Sequence, residues 1–291
     1  MDYSEYTTGN TEVNEYMVML SDGVSLKVVD FKPEKADGNK PSVIFIAGWI
    51  SLINGWQGVL KELTSEYRVF YIESREKRSS VIPEKTKVSF TMNRFREDIK
   101  ELVKMLVPGD DKFVLAGSSL GASAILEYCA QVRRKPECAI LVGPNEDFRF
   151  PRLLGAIIPL IPPVAYFTVK PVIKWYLRNF RLDKKKEKAQ VVKYERTLDL
   201  ADPYKLKANA LALKNYSIWE RIQGISTPCL IFGATTDKLH SIDKLKKLVE
   251  LIPEVQYIEL GSNSDTHSEK AGRVMVDYLG KREYRNFSSR V

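Results

Sequence analysis

The chain has 291 residues, 44% hydrophobic and 28% charged, with a formal net charge of +8. That is enough chain for one large α/β domain with an insertion or for two small domains, at the hydrophobic content of a globular protein. Its three cysteines, an odd count, lie in apolar segments without metal-ligand spacing, and no nucleic-acid motif accompanies the positive charge, so a metal site and a nucleic-acid partner are not expected.

The first eleven residues are polar and acidic, without a basic start and apolar run, so no secretory signal is expected. Residues 15–20 and 25–31 read as strands, with Ser21-Asp22-Gly23 as the hairpin turn between them. Residues 42–47 form a buried strand ending on Gly48-Trp49. A short helix over 56–63, a strand over 67–72 and a charged loop over 73–80 follow. Phe95, Ile99, Leu102, Val103 and Leu106 share one face of a helix over 91–107, which Pro108-Gly109 stops.

Phe113 to Ala116 is an apolar run suited to a strand buried on both faces. It turns on Gly117-Ser118-Ser119-Leu120-Gly121 and leaves as a helix carrying Leu120, Ala124 and Tyr128 on one side. On so tight a turn the flanking positions need glycine, and the central hydroxyl stands at the strand's end beside the positive end of the helix. Residues 138–142 are the next strand. Residues 145–223 break the rhythm, which resumes with a strand over 229–232, a helix over 242–251, a strand over 255–260 and a last helix from about Glu269. An opening hairpin followed by alternating strands and helices implies a mostly parallel twisted sheet with helices on both faces. In such a sheet chemistry sits at the carboxyl ends of the strands.

A serine hydroxyl needs a base within reach, and the base needs an orienting group. Of two histidines, His240 lies just before the helix over 242–251 and suits capping it. His267 lies in the polar loop after the last strand and is the candidate base. Asp237, in the loop after the 229–232 strand, is the candidate orienting carboxylate. Asp147, with Glu146 beside it, follows the previous strand and competes; Asp265 is too close in chain to His267 to orient it easily. The order Ser119, Asp237, His267 resembles that of the α/β-hydrolase family. Trp219, Ile222, Ile225 and Pro228 resemble that family's lead-in to the acid strand.

The resemblance implies a core of residues 1–144 and 224–291, with a helical cap over 145–223 inserted after the sixth strand. It also implies an oxyanion hole made by the Trp49 and Leu120 backbone N–H groups, and no cofactor or metal. Two departures stand out. Ala47-Gly48 replaces the family's His-Gly. Glu73-Ser74-Arg75-Glu76-Lys77-Arg78-Ser79-Ser80 lacks the glycines of the corresponding loop, which should therefore be less tight.

Within the insertion, residues 153–169 are apolar and uncharged, but Pro159, Pro162 and Pro163 interrupt a straight span. Between Arg152 and Lys193 ten basic residues face only Asp183 and Glu187. With Trp175, Tyr176 and Phe180 interleaved, this composition suits an anionic membrane surface or a solvated cap. The expected activity is hydrolysis of an aliphatic carboxylic ester through an acyl-enzyme. A thioesterase or acyltransferase would use the same residues, and the alternative outside catalysis is a protein that binds a lipid surface or partner through its cap. Odd, apolar cysteines point to a reducing, cytoplasmic setting, with membrane-peripheral contact through the basic cap.

Overall fold

The computed structural model describes residues 2–34, 38–84, 86–148, 158–181, 188–236 and 242–288. Strands β1 (Thr11–Met19) and β2 (Ser25–Pro33) form the opening hairpin. β1 begins earlier than its hydrophobic pattern suggests, because Thr11 pairs with Pro33 at the far end of the ladder. As the edge strand it is mostly exposed, so Thr11 to Asn14 need no apolar signature.

Next come β3 (Ser42–Ile46), β4 (Val69–Glu73), β5 (Phe113–Ser118), β6 (Cys138–Val142), β7 (Cys229–Ala234) and β8 (Val255–Leu260). They make one eight-stranded sheet in the order β1-β2-β4-β3-β5-β6-β7-β8. β2 pairs antiparallel with β1 and β4, and every pair from β4 to β8 is parallel. β5, β6 and β7 are buried along their whole length, which is why they read as unbroken apolar runs.

Helices cover both faces. Helix α1 (Gln57–Leu63) and the C-terminal α8 (Glu269–Ser288) close one core around Phe45, Trp56, Tyr71 and Phe232. The other core packs α2 (Met92–Leu106), α3 (Leu120–Gln131) and α7 (Ile242–Leu251) against Ile44, Leu115 and Ile231. All three cysteines are buried free thiols, and burial pushes those of Cys129 and Cys138 up to about 12.

Between β6 and β7 the described chain is helical: α4 (Tyr166–Tyr176), running into a π-turn at Leu177–Arg181, then α5 (Lys188–Leu200) and α6 (Pro203–Leu213). Asp202 caps α6 by accepting from the Tyr204 and Lys205 N–H groups. Tyr166 donates to the Leu198 carbonyl at 2.7 Å, and Lys170 and Lys174 share Asp199, which ties α4 to α5. Among the described residues no helix is long and apolar enough to cross a membrane. Residues 149–157, which include the first five residues of the apolar stretch over 153–169, lie outside the described residues.

The loop after β4 differs from expectation. It is packed, not loose: Ser74, Arg75, Glu76, Lys77 and Ser80 are all buried. The Arg75 guanidinium donates to both oxygens of Asp98, to Asp22 and to the Ser89 carbonyl. Lys205 of α6 donates to the Lys77 and Ser80 carbonyls and to the Ser80 hydroxyl. Charge-assisted bonds take the place that close glycine backbone packing would fill.

Candidate active site

Ser119 stands between β5 and α3 with φ 46° and ψ −115°, a left-handed backbone that a serine rarely adopts. The flanking glycines permit it. A Cβ on Gly121 would stand 2.1 Å from the Ile46 carbonyl oxygen, and one on Gly117 would stand 2.6 Å from the same atom. Both glycines therefore let the turn press against the end of β3. The Ser119 N–H donates to the Val142 carbonyl, and the Ser118 hydroxyl accepts from the Gly48 N–H, so the elbow is sewn to β6 and to the loop after β3.

The Ser119 Oγ accepts from the Asn145 side-chain amide at 2.9 Å. Asn145 is held in turn by Ser123 of α3, whose hydroxyl donates to the Asn145 carbonyl and accepts from its N–H. A hydroxyl has one proton and two lone pairs, so Oγ can accept from Asn145 and still donate to a base. Sequence reading passed over Asn145 in favour of its acidic neighbours. The rule that chemistry follows strand ends would have included it, since it lies three residues after β6.

A cavity of about 260 Å³ opens over Ser119. His267 lines it too, from the short 3-10 turn Asp265–His267 that follows β8. The two residues, 148 positions apart, therefore share one chamber. The imidazole packs on Trp56 with ring centroids 4.1 Å apart. Its Nδ1 is 2.9 Å from the Asn263 carbonyl, which can only accept, so that bond forms in the tautomer protonated at Nδ1. That tautomer leaves Nε2 with the lone pair a general base uses.

Asp237 lies outside the described residues, as does His240; β7 ends at Ala234, which lines the cavity. The competing Asp147 accepts an ion pair from Lys244 at 2.6 Å and is not among the cavity-lining residues. Asp265 accepts from the Ser262 hydroxyl.

Trp49 lines the cavity, and Leu120 is the first residue of α3, next to Ser119. Among the described residues neither backbone N–H has an acceptor. The peptide between Gly48 and Trp49 is oriented by its carbonyl, which accepts from the buried Lys77 ammonium and from the Ser51 N–H. In a trans peptide the N–H points opposite to the C=O, so bonds on the Gly48 oxygen turn the Trp49 N–H the other way. Burial depresses the Lys77 pKa, opposed by the neighbouring Glu76 and Glu73 carboxylates. The roof comes from the segment between β6 and β7: Leu177, Lys193, Tyr194, Thr197 and Leu198. Among the described residues no group of three or more His, Cys, Asp or Glu could hold a metal ion.

The solved structures most like this fold include a thermophilic esterase from Thermogutta terrifontis, at 16% identity and a TM-score of 0.74, covering 93% of this chain and 99% of that one. The enol-lactonase of Burkholderia xenovorans aligns at 17% identity and a TM-score of 0.74, covering 91% and 100%. An esterase from Exiguobacterium antarcticum aligns at 16% and 0.72, covering 92% and 100%. At such identities the likeness is one of fold. A search of curated proteins finds no match. Residues 40–259 match the model of a serine aminopeptidase family, S33. That span runs from just before β3 almost to the end of β8 and carries Ser119 on its elbow; the chain belongs to this family, within the α/β-hydrolases.

Proposed function

We propose that this chain is a serine hydrolase that cleaves a carboxylic ester of a short aliphatic acid through an acyl-enzyme. The observation that carries the reading is a serine held at φ 46° on a strand-to-helix turn, in one cavity with a histidine far away in sequence. Ser119 attacks the ester carbonyl while His267 Nε2 takes its proton. The oxyanion forms against the Trp49 and Leu120 amides, donors typically worth about 3–4 kcal/mol each. His267 then gives the proton to the leaving alcohol. Water, deprotonated by the same imidazole, releases the acid. Asp237 is assigned the carboxylate that steadies the imidazolium.

Acyl specificity follows from the walls. Leu177, Leu198, Phe232 and Leu245 make much of the lining apolar. The 260 Å³ volume falls below the roughly 300–1,000 Å³ of drug-sized ligand pockets, which favours short chains. The segment over 145–223 acts as the lid that supplies Leu177 and Leu198 to this lining. A fluorophosphonate probe tests the proposal. It should label the native protein at Ser119, and Ser119→Ala should abolish the label. Folded native protein that resists labelling and turns over no ester would leave only the reading of a binding protein.

The same lid is proposed to rest on an anionic lipid surface. Phe167, Val172 and Trp175 on α4 are 58%, 60% and 57% exposed, an apolar face set beside two lysines that share a single carboxylate. Aromatics with flanking cations suit the boundary between headgroups and acyl chains. Co-sedimentation should rise with the phosphatidylglycerol content of vesicles, fall with salt, and fall again in Trp175→Glu. Binding indifferent to lipid charge and salt would end this idea.

A further inference from the structure

We propose that Lys193 forms an anion subsite inside this cavity, so that the substrate is an amphiphilic ester bearing a carboxylate or phosphate group beside its aliphatic part. The inference rests on the hydrolase reading for its chemistry, but on separate observations for the subsite.

Lys193 belongs to α5 and lines the same chamber as Ser119 and His267. Among the described residues that line it there is no carboxylate. Among the described residues Lys193 forms no ion pair, and its ammonium reaches one hydrogen-bond acceptor, the Gly55 carbonyl at 3.3 Å. Its stem is seated rather than loose, since a Cβ on Gly55 would meet Lys193 Cε at 2.4 Å. The ammonium stands 5.6 Å from the centre of the Trp56 ring and 6.0 Å from that of Tyr194. Such cation–ring contacts return less than desolvating an ion costs.

Burial accordingly depresses the Lys193 pKa to about 7. An oxyanion entering the chamber supplies the missing partner and favours the charged form. A second donor is present. The Trp49 indole N–H is buried without an acceptor among the described residues, and Trp49 lines the same cavity. With leucine and phenylalanine over the rest of the wall, the chamber suits a ligand with one anionic end and one apolar end. Among the described residues the other titratable groups lining it are His267 and Tyr194, and the proposed Asp237 carboxylate would face it beside His267.

The test is calorimetric binding of hexanoate, butyl phosphate and hexan-1-ol to the full chain, native and as Lys193→Met and Lys193→Arg. Native protein should bind at least one of the anions about tenfold or more tightly than the alcohol. Lys193→Met should lose that preference and Lys193→Arg keep most of it. Whichever anion binds more tightly tells carboxylate from phosphate. Anion affinity should weaken as pH is raised from about 6 to about 9, in the native chain and equally in His267→Gln.

No preference in the native chain overturns the subsite. So does a preference that survives in Lys193→Met, which would put the anion on the Trp49 and Leu120 amides. Should Lys193→Met fail to fold, a flat pH profile in the native chain overturns it equally. A kinetic arm keeps the two readings apart, comparing kcat/KM for monomethyl glutarate and methyl pentanoate. Anion binding without turnover of either ester removes the hydrolase reading alone. Turnover of methyl pentanoate without anion preference removes the subsite alone.

Discussion

Gly121→Ala probes the contact on which the elbow depends. The new methyl carbon would lie 2.1 Å from the Ile46 carbonyl oxygen, 2.8 Å from its carbon and 3.0 Å from the Ala47 oxygen. All three are backbone atoms, so no side chain can swing aside. To reach even the 3.0 Å that real contacts essentially never undercut, α3 and β3 must part by about 0.9 Å. Overpacking of this kind costs about 1–3 kcal/mol, and alanine's better helix propensity returns up to about 1 kcal/mol. A net loss of about 1–2 kcal/mol should lower the melting temperature by roughly 2–3 °C in a chain of this size. On the proposed mechanism function should suffer more than stability, because Ser119 and the proposed Leu120 donor stand at the start of α3 while the chain after β3 carries the proposed Trp49 donor. A displacement near 1 Å between such groups can cost about a hundredfold in rate. Thermal melts beside the rate of fluorophosphonate labelling measure both effects. An unchanged melting temperature with unchanged labelling would refute the close approach of α3 to β3, and with it the account of the elbow.

Lys77→Met removes the ammonium that holds the Gly48 carbonyl and leaves Glu76 buried beside it. We expect a loss of about 3–5 kcal/mol by chemical denaturation, typical of a broken buried pair, and a fall in kcat larger than the change in KM. Asn145→Ala deletes the amide that donates to Ser119 Oγ and should cut kcat about fivefold, the worth of one hydrogen bond of about 1 kcal/mol; an unaltered kcat would show that Asn145 does not position the nucleophile. Lys193→Met should stabilise the fold in a pH-dependent way. The folded pKa of about 7 lies below the 10.5 of a free lysine, so between those values the unfolded chain binds more protons and native stability rises with pH. Below 7 the full cost of the buried charge is present, so the variant's advantage should be larger at about pH 6 than at about pH 9. An equal gain at both would contradict it.

Much of this architecture is written locally. Each central strand is an apolar run because both its faces are buried, and each helix repeats its apolar positions at the pitch of its own backbone. The elbow announces itself because its glycines and serine are consecutive. The loop after β4 departs from expectation for the converse reason: its missing glycines are visible in the sequence, but the partners that replace them, Asp98, Asp22 and Lys205, are distant in the chain. Asn145 was overlooked because an amide carries no catalytic signature until its distance to Ser119 is known. Lys193 looked like one cation in a basic run.

Short-range regularities thus set the strand order's raw material, the place of the serine elbow and the family. Tertiary structure alone decided that Lys77 faces the Gly48 carbonyl, that His267 lies against Trp56 in the chamber of Ser119, and that one lysine of the basic stretch turns inward. The reason is physical. Strand and helix periods arise from bonds a few residues apart, whereas the surroundings of a polar group depend on which remote segments the folded sheet brings beside it, and those contacts have no period to read.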